Sequence, residues 1–167
     1  NATLVIVGDV NPTEAINEVK KYFADKKPQT LPTRPSVIQP GFRGYQEKTM
    51  QLPVQVPMVM MAFNVPTLTT AKDPKTAYSL SLLADVLDGG LSARLEKRLV
   101  REKQLLASVG SGYNAFSRGD GLFLIQATPR DGVTLAQAKQ AIIAEIDALK
   151  TQPIAQSELT RAKTNTM

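Results

Sequence analysis

The sequence contains no histidine and no cysteine. Hydrolytic zinc sites draw on two or three imidazoles plus a carboxylate, so these residues alone cannot build one. A serine triad fails for the same reason, because its proton-shuttling base is histidine. The absence of cysteine excludes disulfides, thiolate metal sites and cysteine nucleophiles, and leaves the compartment open. Aromatic residues are scarce, at 5%. The net charge of +5, from 20 basic and 15 acidic side chains, is therefore not the aromatic-interleaved basic stripe of a nucleic-acid surface. Long apolar runs are missing too. Leu4–Val7 and Val56–Phe63 fall well short of the ~20 residues of a spanning helix, so no membrane insertion is expected.

What is present describes an ordinary globular chain. Its 167 residues are 43% hydrophobic and 21% charged, enough for one domain with a proper core. The chain opens at Asn1 within a strand pattern and stops at Met167 within a helical one, so a fragment of something longer is expected.

Thr3–Val7 has the β-branched content of a buried strand closed by Gly8 and Asp9. A helix follows, with Asn11 as cap, Pro12 in the first turn, Glu14 at the capping-box position and an apolar stripe of Ile16, Val19 and Phe23. Residues 1–24 then form the terminal strand and helix of a preceding, truncated domain. Residues 25–41, with Pro28, Pro32, Pro35 and Pro40, form a linker. Residues 42–167 form a second, C-terminally truncated domain.

In that domain, Arg43–Gln51 and Gln55–Asn64 are expected strands, and Pro57 points to a sheet edge or bulge. Asp73 and Pro74 open a helix with Ala77, Leu80, Leu83, Ala84 and Leu87 on one face. Gly89 and Gly90 end it by supplying positive-φ positions. A second helix runs from Ser92 to Glu102. Leu105–Phe116 and Gly121–Thr128 form an antiparallel pair around Ser117–Asp120. Thr134 caps a helix carrying Ala138, Ile142, Ile146 and Leu149, and a last helix begins near Gln156. The fold class is α+β, an antiparallel or mixed sheet covered on one face by helices.

Several chemical motifs dissolve on inspection. Gly8-Asp9 lacks the Gly-x-Gly-x-x-Gly spacing of a dinucleotide turn, and no phosphate loop occurs. The carboxylate pairs Glu96 with Glu102 and Glu145 with Asp147 lie on helices rich in opposite charge, which reads as solvated helix faces.

The informative stretch is Gly89-Gly90-Leu91-Ser92-Ala93-Arg94-Leu95, followed by Leu99-Val100-Arg101-Glu102-Lys103. With Asn1–Val10 at the expected distance upstream, it resembles the zinc-less second half of pitrilysin/insulinase-family zinc metallopeptidases, which include the mitochondrial-processing-peptidase type. The resemblance covers essentially the whole chain.

It implies related α/β domains that close like a clamshell on a peptide, with zinc held by a His-x-x-Glu-His motif in the half not represented here. The expected partners are a zinc-bearing domain or partner subunit and a peptide. The expected role is a non-catalytic one that encloses and positions substrate, an exposed sheet edge taking up the extended peptide as a strand. The alternative is a scaffold or assembly subunit without peptidase activity. The family's habits point to a bacterial periplasm or cell envelope. In that family the partner half commonly contributes an arginine and, seven positions later, a tyrosine. Arg101 fills the first slot here, while Ser108 stands in the second. Either Tyr113 substitutes, making Arg101 and Tyr113 the substrate-binding candidates, or this half shapes the chamber without assisting. Arg101 equally suits an end-of-helix cation paired to a neighbouring carboxylate. Gly89, Gly90, Ser92 and Arg94 are expected to be the turn and cap that aim the basic helix.

Overall fold

The computed structural model describes residues 3–27, 29–33 and 44–166. The chain divides into two compact units, Asn1–Gln39 and Pro40–Met167.

In the first unit, helix α1 spans Pro12–Phe23. Asn11 holds the first turn, its side-chain oxygen accepting from the backbone N–H of Thr13 and Glu14. The stripe expected at Ile16, Val19 and Phe23 buries nothing fully, and Ile16 and Phe23 are largely exposed. Thr3–Val7 is not a strand here. A strand needs a neighbour to satisfy its N–H and C=O groups, and no partner stands beside it among the described residues.

The second unit holds β1 (Val59–Val65), α2 (Pro74–Asp88), a π-helix (Glu96–Glu102), β2 (Leu106–Tyr113), β3 (Gly121–Pro129), α3 (Leu135–Thr151) and α4 (Gln156–Thr166). The three strands form an antiparallel sheet in the order β1-β3-β2. Gly44–Gln51 is not the strand expected from the sequence, and Arg43 lies outside the described residues. Gly44 takes φ +79°, and Tyr45 and Glu47 turn to α3, where Lys139 Nζ donates to Glu47 Oε1 at 2.8 Å. The next strand starts at Val59 rather than Gln55, just past Pro57, whose ring nitrogen offers the ladder no donor. Most of the proline-rich connector lies outside the described residues.

Local signals in the rest of the chain match the structure. Asp73 caps α2 through the Lys75 N–H, and Thr134 caps α3 in a reciprocal box with Gln137. Phe123, Ile125 and Ala127 alternate along β3 towards Leu87 of α2, Leu95 and Leu99 around the π-helix, and Ala138 and Ile142 of α3, forming the core. This is the α+β arrangement, with the helices on one sheet face. Residues that pair directly share a face. Met60, Ala62, Leu122 and Gln126 therefore lie on the opposite face, where they are exposed.

Candidate peptide-contact site

Gly89 and Gly90 end α2 for different reasons. Gly90 takes φ +98°, a left-handed value that favours glycine. Gly89, expected to do the same, has φ −85°. Its lack of a side chain matters because a Cβ there would collide with the Asp85 carbonyl. The turn delivers Arg94 into the interior at 3% exposure, where Nε and Nη2 meet Glu158 of α4 at 3.1 and 2.7 Å. Glu158 also accepts the Ala155 N–H at the start of α4, so one carboxylate fixes a helix end and a guanidinium together. The backbone carbonyl of Ser92 accepts from Arg161 Nη1 at 2.8 Å. The helical cap expected near Ser92 is not made. The π-helix begins after Leu95 with no side-chain cap.

Glu96–Glu102 is wound in the π register, the Lys103 N–H donating to the Arg98 carbonyl at 3.0 Å. Residues five apart in an α-helix stand about 140° apart around the axis, whereas i→i+5 winding brings them to the same side. Three such pairs occur. Arg101 Nε lies 3.7 Å from Glu96, and Lys97 Nζ lies 3.8 Å from Glu102. Arg98 Nη1 and Lys103 Nζ reach the two carboxylate oxygens of Glu145 on α3, at 2.8 and 2.7 Å.

Glu145 is thus no solvated helix residue. It is 3% exposed. The sequence pattern misses this because its partners lie more than forty positions away. Burial pushes the Glu145 carboxyl up, but the hydrogen bonds and charges of Lys103 and Arg98 outweigh burial and hold it below its ordinary value. Glu158 is also lowered, chiefly by its hydrogen bond to Arg94.

Arg101 and Ser108 sit on either side of the junction between the π-helix and β2. The chain turns there at Gln104, which takes φ +51°, and Leu99 anchors the junction from the core. The Arg101 side chain is half exposed. A bulge places one extra residue on β2 between Leu106 and Ser108, opposite the single step from Pro129 to Thr128. A bulge re-aims the side chains that follow it. Leu106 is buried with the core, while Ser108, two positions on, pairs with Thr128 on the other face and is exposed.

Tyr113 pairs with Phe123, so it lies on the helix-covered face. Its ring stacks on Phe123 with centroids 6.4 Å apart, its hydroxyl donates to the Pro66 carbonyl at 2.6 Å, and burial raises the phenol above its ordinary value. Tyr113 and Ser108 therefore occupy opposite faces of one sheet.

The edge of β2 is partly occupied as well. The Ser111 N–H donates to Asp88 Oδ2 at 3.0 Å, and the Ser111 hydroxyl donates to the Ala84 carbonyl at 3.1 Å. The end of α2 thereby covers the middle of that strand.

Among the described residues no group of three or more metal-ligating side chains comes together. The donor chemistry explains why zinc does not fit: imidazole and thiolate are absent, and the buried Glu145 and the half-buried Glu158 are committed to cations. No helix among the described residues is long and apolar enough to cross a membrane.

A zinc protease of Helicobacter pylori, PqqE, is 29% identical over 169 residues, covering 99% of this chain and 37% of that protein. The crystal structure of a protease from Helicobacter pylori superposes with a TM-score of 0.81 at 26% identity, over 96% of this chain and 38% of the other. A candidate zinc protease from Bordetella pertussis Tohama I gives a TM-score of 0.55 at 26% identity, over 64% of this chain and 56% of its own. The chain thus spans little more than a third of the length of the curated relative it matches. Residues 1–166 match the family described as the peptidase M16 inactive domain, and the chain belongs to that family.

Proposed function

We propose that this domain is the non-catalytic half of a zinc-dependent endopeptidase, closing on a zinc-bearing half to enclose a peptide that Arg101 helps to hold. The observation that carries the reading is the coincidence of two backbone irregularities with two positions. The π-wound segment Glu96–Glu102 includes Arg101, and the β-bulge between Leu106 and Ser108 immediately precedes Ser108, the slots that in related peptidases carry a peptide-contacting arginine and tyrosine. Irregularities of both kinds concentrate at functional sites because they re-aim particular side chains. A half-exposed guanidinium, held only loosely by Glu96 at 3.7 Å, is free to exchange that carboxylate for a peptide carbonyl or carboxylate. Zinc, held by the other half, would supply the polarising and water-activating chemistry. This half supplies position. Tyr113, engaged with Pro66 and Phe123, serves in this reading as a strut between sheet and loop. With the middle of β2 covered by α2, β1 is the edge offered to an extended peptide. The same reading places the parent protein in the periplasm or cell envelope of a bacterium.

The test is Arg101→Ala in the complete zinc-loaded protein. A fall of about 10- to 100-fold in kcat/KM for a fluorogenic peptide is expected, and unchanged turnover removes Arg101 from the substrate site. One observation favours a second reading. Serine at position 108 is too short to replace a phenol, which suits a scaffold subunit that has lost peptidase activity. Metal analysis of the complete protein separates the two, since a scaffold carries no stoichiometric zinc.

A further inference from the structure

We propose that Glu145 is a positioning residue. By holding Arg98 and Lys103, which stand five residues apart, it keeps Glu96–Glu102 in the π register and so sets the direction of Arg101. The inference rests on the reading of Arg101 as a peptide contact and adds the residue that aims it.

Five-residue spacing is the key. In an α-helix Arg98 and Lys103 would lie about 140° apart, too far round the axis for both to reach one carboxylate head-on. Yet Arg98 Nη1 reaches Glu145 Oε2 at 2.8 Å and Lys103 Nζ reaches Oε1 at 2.7 Å. Glu145 is nearly inaccessible, on a helix that packs against the sheet, so it is a fixed point and not a mobile counter-ion. Leaving either cation unpaired against a buried carboxylate is costly, so the bidentate clamp penalises any rewinding that swings Arg98 and Lys103 apart.

Arg101 lies inside the clamped segment, and its direction follows from the winding. In the π register it stands over Glu96, on the exposed side. Relaxation to α winding would separate Arg101 from Glu96 by the same angle and carry the guanidinium towards a different direction. Isolated π turns are rare. This one follows the α-wound Arg94 and Leu95 and closes at Gln104, φ +51°, where the Leu105 N–H donates to the Leu99 carbonyl at 2.9 Å, and Glu145 adds the side-chain contacts that tie its last turn to α3. Other charged groups on the segment, Lys97 and Glu102, pair with each other at the surface and leave the clamp to Glu145.

The experiment is a double-mutant cycle in the complete zinc-loaded protein, comparing wild type, R101A, E145Q and the double variant for kcat and KM on one fluorogenic peptide. Glu145→Gln keeps the size of the side chain and removes its charge. The expected result is a three- to tenfold fall in kcat/KM for E145Q, in the same parameter that R101A alters, and little further fall when E145Q is added to R101A. An equal loss in both backgrounds, or no loss in either, overturns the role of Glu145 while leaving Arg101 in place. Unchanged turnover in R101A overturns both. Circular dichroism checks folding. Should E145Q fail to fold, Lys103→Met, which removes one arm and keeps the Arg98–Glu145 pair, is run through the same cycle with the same outcomes.

Discussion

Glu158 illustrates what a single residue can hold. It satisfies the Ala155 N–H at the start of α4 and both donors on one edge of the buried Arg94 guanidinium. Its folded-state pKa lies below the ordinary carboxylate value, so it stabilises the fold above the unfolded-state value of about 4.3, and that contribution is lost as pH falls through the folded value. Glu145 acts in the same direction. Stability in urea is therefore expected to hold from pH 7 to about 5 and to fall steeply below about 4.5. In E158Q the neutral-pH stability drops by about 3 kcal/mol, because Arg94 is left buried without a counter-charge, and the acid limb becomes shallower. An acid limb identical to that of wild type would contradict this. Neither role was legible in the sequence. A carboxylate on an amphipathic helix looks solvated until the distant cations that face it are known, and Arg94 and Arg98 reach Glu158 and Glu145 from 64 and 47 positions away.

At the scale of the element, what the chain specifies locally was legible and what depends on a neighbour was not. Asn11, Asp73 and Thr134 cap the helices that the sequence assigns to them, because a cap needs only the next three residues. Thr134→Ala should cost about 1 kcal/mol in urea unfolding through loss of the bond from the Gln137 N–H to the Thr134 hydroxyl, and a change near zero would mean that packing alone holds α3. Strands are different. Thr3–Val7 and Gly44–Gln51 have strand composition without a described partner, whereas β2 and β3 find each other across seven residues of turn and realise the expected hairpin. The π register escapes the sequence because an apolar stripe at Leu95 and Leu99 fits α winding equally well. The five-residue charge spacings, Glu96 with Arg101, Lys97 with Glu102, and Arg98 with Lys103 against one buried carboxylate, distinguish the two.

The second unit is a helix-backed sheet, with Met60, Ala62, Leu122, Gln126 and Ser108 exposed on the face away from its helices. Its fold class and its family were legible, because the Gly-Gly turn, the basic helix and the strand that follows occur in order at fixed distances. Of the proposed peptide-contact site, only the candidate Arg101 was legible. The bulge that turns Ser108 outward, and the alternation that turns Tyr113 inward, depend on pairing with β3. A segment without imidazole or thiolate that is nevertheless required for zinc-dependent peptide cleavage is the central claim. Its most direct measurement is peptide turnover by the complete zinc-loaded protein with and without residues 44–166, with bound zinc quantified in both. The account predicts that the shortened protein keeps its zinc and loses peptide cleavage. Retention of zinc together with undiminished turnover would contradict it.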